Sequence, residues 1–341
     1  MIPNIILAGV MLVALILYAL LGGADFGAGF WDLLCSGPRR DNQRRLIAEA
    51  IHPVWETNHV WLILLIVLMF SGFPPAFSSI AIGLAVPMFL ILLGIVLRGA
   101  SYVFRAYSES DERMQLHWGR IFSISSSVTP LFLGIVIGAI SCNATFVKGP
   151  NQNGLLRTWY QPFPLLVGVL SLSLFAYLAA CYLTLDADTD DLKNDFRNRA
   201  LFSGFISVLA AFATYIVAGS YAQQIRDGLS RTPFAWLIEL AAALSALVAY
   251  HALWVRRYQR ARLASGAQVA LIILGWGIAQ YPFLVRPEIT IFNGAAPSNI
   301  LVSLETVTAF GAVILLPSLL ILLLIFKRHR KSLASTGGKT T

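Results

Sequence analysis

The stretch Ala50-Ile-His-Pro-Val-Trp-Glu-Thr-Asn-His-Val-Trp-Leu62 places several polar side chains directly before the wholly apolar run Leu62–Phe70. An ionisable group at membrane depth is costly unless it is paired or hydrated, so such a group is a candidate functional residue. If this segment forms one helix, His52, Glu56 and His59 occupy positions i, i+4 and i+7 on one face. The pattern predicts that this face points into a protein interior rather than into lipid.

The composition of the whole chain is that of a polytopic membrane protein. Of its 341 residues, 57% are hydrophobic and 12% are charged, whereas about a quarter of the residues in soluble domains are charged. The formal net charge of +8 could by itself indicate a nucleic-acid partner. The basic residues are instead segregated by loop, so we interpret them as topology signals and predict no nucleic-acid binding.

Nine transmembrane helices are predicted when the chain is scanned with a window of about 20 apolar residues, the length that spans the hydrocarbon core. They lie near residues 4–30, 50–71, 76–104, 117–142, 162–187, 199–222, 233–255, 266–286 and 303–326. The segments between them are too short for a soluble domain. Residues 1–341 are therefore predicted to form a single all-α integral membrane domain.

Lysine and arginine residues are concentrated in alternate loops. Of the 25, nineteen lie in one set of loops and the C-terminal tail, five lie in the opposite set, and Arg98 lies inside a predicted helix. Cytoplasmic loops carry the excess of basic residues in membrane proteins. This distribution predicts an external N-terminus and a cytoplasmic C-terminus, which requires an odd number of helices.

Three ionisable residues are predicted to lie at similar depth in the cytoplasmic half of the membrane. Asp25 follows two glycines near the inner end of helix one, Glu56 lies near the inner end of helix two, and Arg98 near that of helix three. A carboxylate beside a guanidinium can stay ionised, and two carboxyls with Arg98 could relay protons from the cytoplasm. A structural ion pair that joins helices one to three is the alternative.

Metal binding by this chain is not predicted. The segment Glu56-Thr-Asn-His59 matches the Glu-x-x-His unit of di-iron helix bundles, but that site needs a second copy. His117, His251 and His329 do not follow a glutamate at this spacing. Trp61 lies too deep in its predicted helix to be an interface anchor, so we expect it to pack against a neighbouring helix or to line a cavity.

These residues resemble subunit II of the cytochrome bd-type quinol oxidases. Gly22-Gly-Ala-Asp-Phe-Gly-Ala-Gly29 is similar to the Gly-x-Asp-x-Gly-x-Gly signature of that family. Pro53-Val-Trp-Glu-Thr-Asn-His-Val-Trp-Leu62 is similar to its Pro-x-Trp-[Asp/Glu]-x-Asn-x-Val-Trp-Leu signature. Leu97-Arg98, Tyr281-Pro-Phe283 and Ala295-Ala-Pro297 also fit. The resemblance spans nearly the whole chain, and the wording of the second motif is similar to the cyanide-insensitive branch.

The resemblance implies a fold and a set of partners. The family fold has nine helices, arranged as two four-helix bundles and one peripheral helix. Its subunit II holds no haem and pairs with a subunit I that carries haems b and d. The complex oxidises quinol and reduces oxygen to water in the bacterial cytoplasmic membrane, in an electrogenic reaction of the respiratory chain. Quinol, membrane lipids and small single-helix accessory subunits are compatible further partners.

The resemblance also implies roles for individual residues. Asp25 and Glu56 match acids of a cytoplasmic proton path, with Arg98 as their charge partner. Trp61 matches a tryptophan near the proposed entry of oxygen. The supporting positions are Trp55, Asn58 and His59. Some members carry aspartate in place of Glu56, so the distances along their path do not transfer to this chain.

A proton-coupled secondary transporter is the competing function. Such transporters usually contain inverted repeats and broken helices around a site at the midplane of the membrane. Here the predicted intramembrane charges lie in one half only, and neither motif has a second copy. These features favour the oxidase subunit.

Overall fold

The computed structural model describes residues 2–51, 55–107, 112–143, 158–231 and 233–336. Within these ranges the chain forms helices and one short antiparallel β-hairpin. They are α1 (Ile2–Leu33), α2 (Arg40–Ile51), α3 (Trp55–Gly72), α4 (Pro74–Gly83), α5 (Ala85–Tyr107), α6 (Glu112–Ser141), α7 (Pro162–Asp186), α8 (Asp190–Tyr221), α9 (Gln223–Arg231), α10 (Pro233–Trp254), α11 (Tyr258–Gln280), β1 (Phe283–Val285), β2 (Ile289–Thr290) and α12 (Ser298–Thr336).

The all-α membrane class is confirmed in the described part of the chain. Eight of these helices are long and apolar enough to cross a membrane, and α3 with α4 makes a ninth span if the pair counts as one. That pair is bent by 114°. Pro74 opens α4, and proline has no N–H with which to continue the hydrogen-bond ladder of the preceding helix.

The helix predicted at residues 76–104 is wrong as a single element. In the structure α4 ends at Gly83 and α5 begins at Ala85. Pro87 lies in the first turn of α5, where proline is tolerated because that turn needs no N–H donor. An average over about 20 apolar residues does not register such a break, so the sequence prediction ran through it.

The predicted end of the helix at residues 266–286 is also wrong. The structure ends α11 at Gln280, and β1 and β2 follow, with Phe283 opposite Thr290. Pro282 and Pro287 flank β1, and neither can donate a helical hydrogen bond.

Several helices extend beyond the apolar windows at their charged ends. α2 was not predicted, and α8 begins at Asp190 rather than at residue 199. Thr189 caps α8 by accepting a hydrogen bond from the Leu192 amide at 3.4 Å, and acidic residues fill the first turn, as helix N-termini favour. Helical turns that project from the membrane are polar, so a hydropathy window misses them.

Helix α7 is the most enclosed span, and α12 is the most exposed. In the most apolar 18-residue segment of each helix, 61% of the α7 segment is buried inside the protein but only 6% of the α12 segment. Helix α1 packs closely on α7: the two backbones are so near that a Cβ added at Gly27 would overlap the backbone carbonyl of Phe175. Small residues permit such approaches between membrane helices.

The loops predicted to share the cytoplasmic side meet at one end of the bundle. Arg39 pairs with Asp195 at 2.6 Å, and the Arg197 Nε donates to the Leu253 carbonyl at 2.7 Å. We call this the arginine end; its members are Arg39, Arg44, Arg105, Arg197 and Arg199. At the opposite, hairpin end, the Ala296 amide donates to the Gly72 carbonyl at 2.8 Å.

Candidate functional site

The carboxylate of Asp25 lies between the first helices of the chain. Asp25 projects from α1, and its Oδ2 accepts a hydrogen bond from the side-chain amide of Asn58 on α3. Asn58 is buried, with 3% of its surface exposed. The two sequence motifs that carry the family resemblance therefore meet through their side chains.

Arg98 enters the same region from α5. It is buried, with 2% exposed, and its Nε donates to Ser126 Oγ on α6 at 3.2 Å. Its guanidinium carbon lies 4.7 Å from the centre of the Phe26 ring, a cation–π distance. The charges of Arg98 and Asp25 interact electrostatically, but these two described side chains form no direct salt bridge.

Three buried polar atoms surround this pair without a hydrogen bond to any other described atom: Tyr18 Oη, His59 Nδ1 and Arg98 Nη2. Tyr18 precedes Asp25 by seven residues and so shares its face of α1. A buried polar atom left without a partner costs about 1–3 kcal/mol, and ordered water usually removes that cost. The surroundings of Asp25 thus offer polar partners from α1, α3 and α5 that suit water.

Trp61 packs inside the protein, as the sequence indicated. It is 8% exposed and belongs to an apolar cluster with Tyr18, Phe26, Phe175 and Leu178.

Part of the predicted site lies outside the described residues. This applies to His52 and Pro53 entirely, and to the side chains of Trp55 and Glu56. The backbone of Glu56 is helical in α3, two residues before Asn58. The predicted proximity of the Asp25 and Glu56 carboxyls therefore stays a prediction.

Asp32 is a buried acid that sequence reasoning missed. It is 1% exposed, and its Oδ2 accepts a hydrogen bond from Ser123 Oγ on α6 at 2.6 Å. Arg44 Nε lies 3.7 Å and Arg105 Nη1 3.9 Å from its carboxylate oxygens. Its spacing of seven residues from Asp25 could have identified Asp32 as a second acid on the same helix face. It was not considered because the predicted first helix ended at residue 30.

The described histidine of this region, His59, has aromatic neighbours. The His59 ring packs against Tyr18 and Phe26, with ring centres 6.2 Å and 6.3 Å away. Glu49 also precedes His52 at the Glu-x-x-His spacing, but it is exposed and pairs with Arg45 at 3.7 Å. Among the described residues no three His, Cys, Asp or Glu side chains converge as metal ligands.

The sequence profile of the family described as "Cytochrome bd terminal oxidase subunit II" matches residues 3–326. The chain belongs to this family. The cytochrome bd-I ubiquinol oxidase subunit 2 of Escherichia coli (strain K12) is 26% identical over 361 residues, which cover 93% of this chain and 90% of that protein. A chain in the structure of bd oxidase from Geobacillus thermodenitrificans superposes with a TM-score of 0.79 at 24% identity, over 96% of this chain and 99% of that chain.

Membership confirms the resemblance seen in the sequence. As a cytochrome bd oxidase subunit II, the chain is an integral membrane subunit of a haem-containing quinol oxidase, an oxidoreductase, and has a subunit I as its partner. The Geobacillus likeness supports the fold. The transporter is not favoured by any of these comparisons.

Proposed function

We propose that this cytochrome bd subunit II is haem-free and delivers protons from the cytoplasm to a haem-bearing subunit I, where oxygen is reduced to water. The observation that carries the proposal is the partly buried carboxylate of Asp25, which is hydrogen-bonded to Asn58 and interacts electrostatically with Arg98. By the positive-inside rule the arginine end faces the cytoplasm. The chain forms one integral membrane domain.

The contacts of the two charged groups support a proton relay over a structural ion pair. A buried ion pair is stable when its members contact each other directly and their remaining polar atoms are hydrogen-bonded. Here Asp25 is hydrogen-bonded to Asn58 and Arg98 to Ser126, both neutral partners. Arg98 Nη2 and Tyr18 Oη have no described partner, as expected for groups that contact internal water.

Further parts of the proposal rest on the family motifs. Glu56 is the second carboxyl of the path, and Trp61 borders a route by which oxygen reaches subunit I. Haems b and d belong to subunit I, and quinol is oxidised there in an electrogenic reaction. Small accessory subunits and membrane lipids cover the exposed apolar faces. The enzyme lies in the cytoplasmic membrane of a bacterium.

Reconstitution of the purified two-subunit complex into vesicles tests the proposal. We expect quinol-driven oxygen consumption to generate a membrane potential. Asp25→Asn should lower the rate of oxygen consumption by about 100-fold, the low end for loss of a proton-transfer group, at unchanged haem content, and should also lower the membrane potential. Glu239→Gln, which removes a carboxyl on α10, is the matched control and should turn over normally. Normal turnover of Asp25→Asn with full haem content would overturn the proton-supply function.

A further inference from the structure

The strongest unassigned feature is the buried carboxylate of Asp32. We infer that Asp32 is the residue that collects protons at the arginine end and passes them along the α1–α6 interface to Asp25. The inference rests on the proposed proton supply and extends it to a defined entrance. Asp32 would act through Asp25 rather than on the oxidase chemistry itself.

The two acids are aligned along one helix. Asp32 follows Asp25 by seven residues, two helical turns, so both lie on one face of α1. Their Cα atoms are therefore separated by about 10 Å along the helix axis. A proton cannot cross that distance in one step, and intervening hydrogen-bonding groups are required.

Two hydroxyls of α6 lie along this interval. Ser123 Oγ donates to Asp32 Oδ2 at 2.6 Å, and Ser126 Oγ, one turn further on, accepts from Arg98 Nε at 3.2 Å. The Ser123 hydroxyl has a second acceptor, the Gly119 carbonyl at 2.9 Å. The single hydroxyl proton can turn from Asp32 to the Gly119 carbonyl, which frees a lone pair of Ser123 Oγ to accept a proton from protonated Asp32. The carbonyl holds the hydroxyl proton only by a hydrogen bond, and Ser123 then releases that proton to water on the side of Ser126.

A glycine allows one of these hydroxyls, that of Ser126, to approach α1 closely. Gly29 lies between the two acids, and a Cβ added to it would overlap the side chain of Ser126. The close approach of α1 and α6 therefore places Ser126 against the segment of α1 that lies between Asp25 and Asp32. A larger residue at Gly29 would separate the helices at this point.

The surroundings of Asp32 connect it to solvent. Its two arginine neighbours are partly exposed, Arg44 by 21% and Arg105 by 30% of the side chain, whereas the Asp32 side chain is 2% exposed. Their distances of 3.7 and 3.9 Å exceed hydrogen-bond length and fit bridging by water. Asp32 Oδ1 and Arg44 Nε are both buried and make no hydrogen bond to another described atom.

A purely structural clasp between α1, α2 and α5 would be built differently. Direct, preferably bidentate, arginine–carboxylate contacts give such a clasp its strength. Within the described ranges, the one direct side-chain hydrogen bond of the Asp32 carboxylate comes instead from Ser123.

The transfer is balanced without any other reactant. The carboxylate of Asp32 takes up a proton from water at the arginine end. The proton then passes through the Ser123 and Ser126 hydroxyls, with water between them, to the carboxylate of Asp25. Asp32 returns to its carboxylate form, ready for the next proton.

Oxygen consumption of the purified two-subunit complex in H2O and in D2O tests the inference. We expect Asp32→Asn to lower turnover about tenfold or more and to increase the solvent isotope effect, at unchanged haem content. Asp32→Glu should restore most of the rate, because it keeps the carboxyl. Glu49→Gln removes an exposed acid at the same end and serves as the control with wild-type turnover.

A second variant covers the case in which Asp32→Asn fails to assemble. Ser123→Ala keeps both arginine neighbours of Asp32 but removes the hydroxyl, and should also increase the isotope effect. The inference would be overturned if Ser123→Ala, and any Asp32→Asn complex that assembles, showed the turnover rate and the solvent isotope effect of the wild type. If Asp25→Asn is slow in the same assay, only the entrance is wrong; if Asp25→Asn is normal too, the proposed function itself fails.

Discussion

The side-chain amide of Asn58 on α3 donates a hydrogen bond to the carboxylate of Asp25 on α1. This contact joins the glycine-rich motif of the first helix to the tryptophan-rich motif of the next span. It also fixes the position of the Asp25 carboxylate, which lies two helical turns before Asp32 on α1 and therefore further from the arginine end.

Replacing Asn58 by leucine should slow the oxidase. The variant keeps a similar side-chain volume but removes the donor, so the partly buried carboxylate loses a charge-assisted hydrogen bond worth about 1.5–3 kcal/mol. We expect lower quinol-driven oxygen consumption and a lower thermal unfolding temperature of the complex. Asn58→Gln, which keeps the amide, should recover part of both; equal loss in the two variants would argue against a role for this hydrogen bond.

Arg98 and Asp25 should be energetically coupled. Arg98→Met leaves the partly buried Asp25 carboxylate without its nearby positive charge, so we expect it to destabilise the complex. The double variant with Asp25→Asn should be more stable than the sum of the single effects predicts, by about 0.5–3 kcal/mol. Thermal unfolding of the four proteins in one detergent measures this coupling, and strict additivity would show that the two charges do not interact significantly.

Glu56→Gln should reduce turnover more than it reduces assembly. The family motif makes Glu56 the second carboxyl of the proton path, and glutamine preserves its shape without its titratable proton. Oxygen consumption per haem is the relevant measurement. Glu305→Gln removes a carboxyl on α12 and should leave the rate unchanged; a Glu56→Gln rate equal to that control would remove Glu56 from the path.

A charged residue at position 61 should impair the supply of oxygen. Trp61→Lys introduces an ammonium group into the apolar cluster that contains Phe175 and Leu178. If oxygen passes this point, the apparent KM for oxygen should rise in the assembled fraction. Trp61→Phe is the packing control and should retain a KM near that of the wild type. An unchanged KM in both variants would place the oxygen route elsewhere.

Gly27→Leu should prevent normal assembly. A Cβ at Gly27 overlaps the Phe175 carbonyl, and backbone cannot move aside as a side chain can. Overpacking costs about 1–3 kcal/mol or more, so we expect a lower yield of haem-loaded complex and a lower unfolding temperature. Gly9→Ala on the same helix meets nothing within 4 Å and should be neutral or slightly stabilising.

Sequence reasoning recovered the elements that depend on composition and on motifs. It identified the membrane class, and it placed Asp25 and Arg98 in helices that are long and apolar enough to span a membrane, because an isolated charge in an apolar run is visible without any structure. It also predicted the interior packing of Trp61. These properties depend on residue type and position along a helix, both of which the sequence states directly.

The remaining features depend on three-dimensional detail that an average hides. A break at Leu84 divides one predicted helix into α4 and α5, although the hydropathy of the segment stays high across the break. Asp32 was missed because the apolar window ends before the helix does. The partner of Asp25 also differs from the simplest expectation: a neutral amide, Asn58, contacts it directly, whereas Arg98 interacts from further away.

The glycines of α1 have a mechanical consequence. Gly27 fits against the backbone of α7 and Gly29 against Ser126 of α6, so rotation or sliding of α1 would cause a collision on one flank or the other. We therefore expect any motion during turnover to occur in other elements, first in α12, which is the least enclosed of the eight spans, and in α4, which follows the 114° bend. The acids of α1 would then act as a stationary reference past which those helices move.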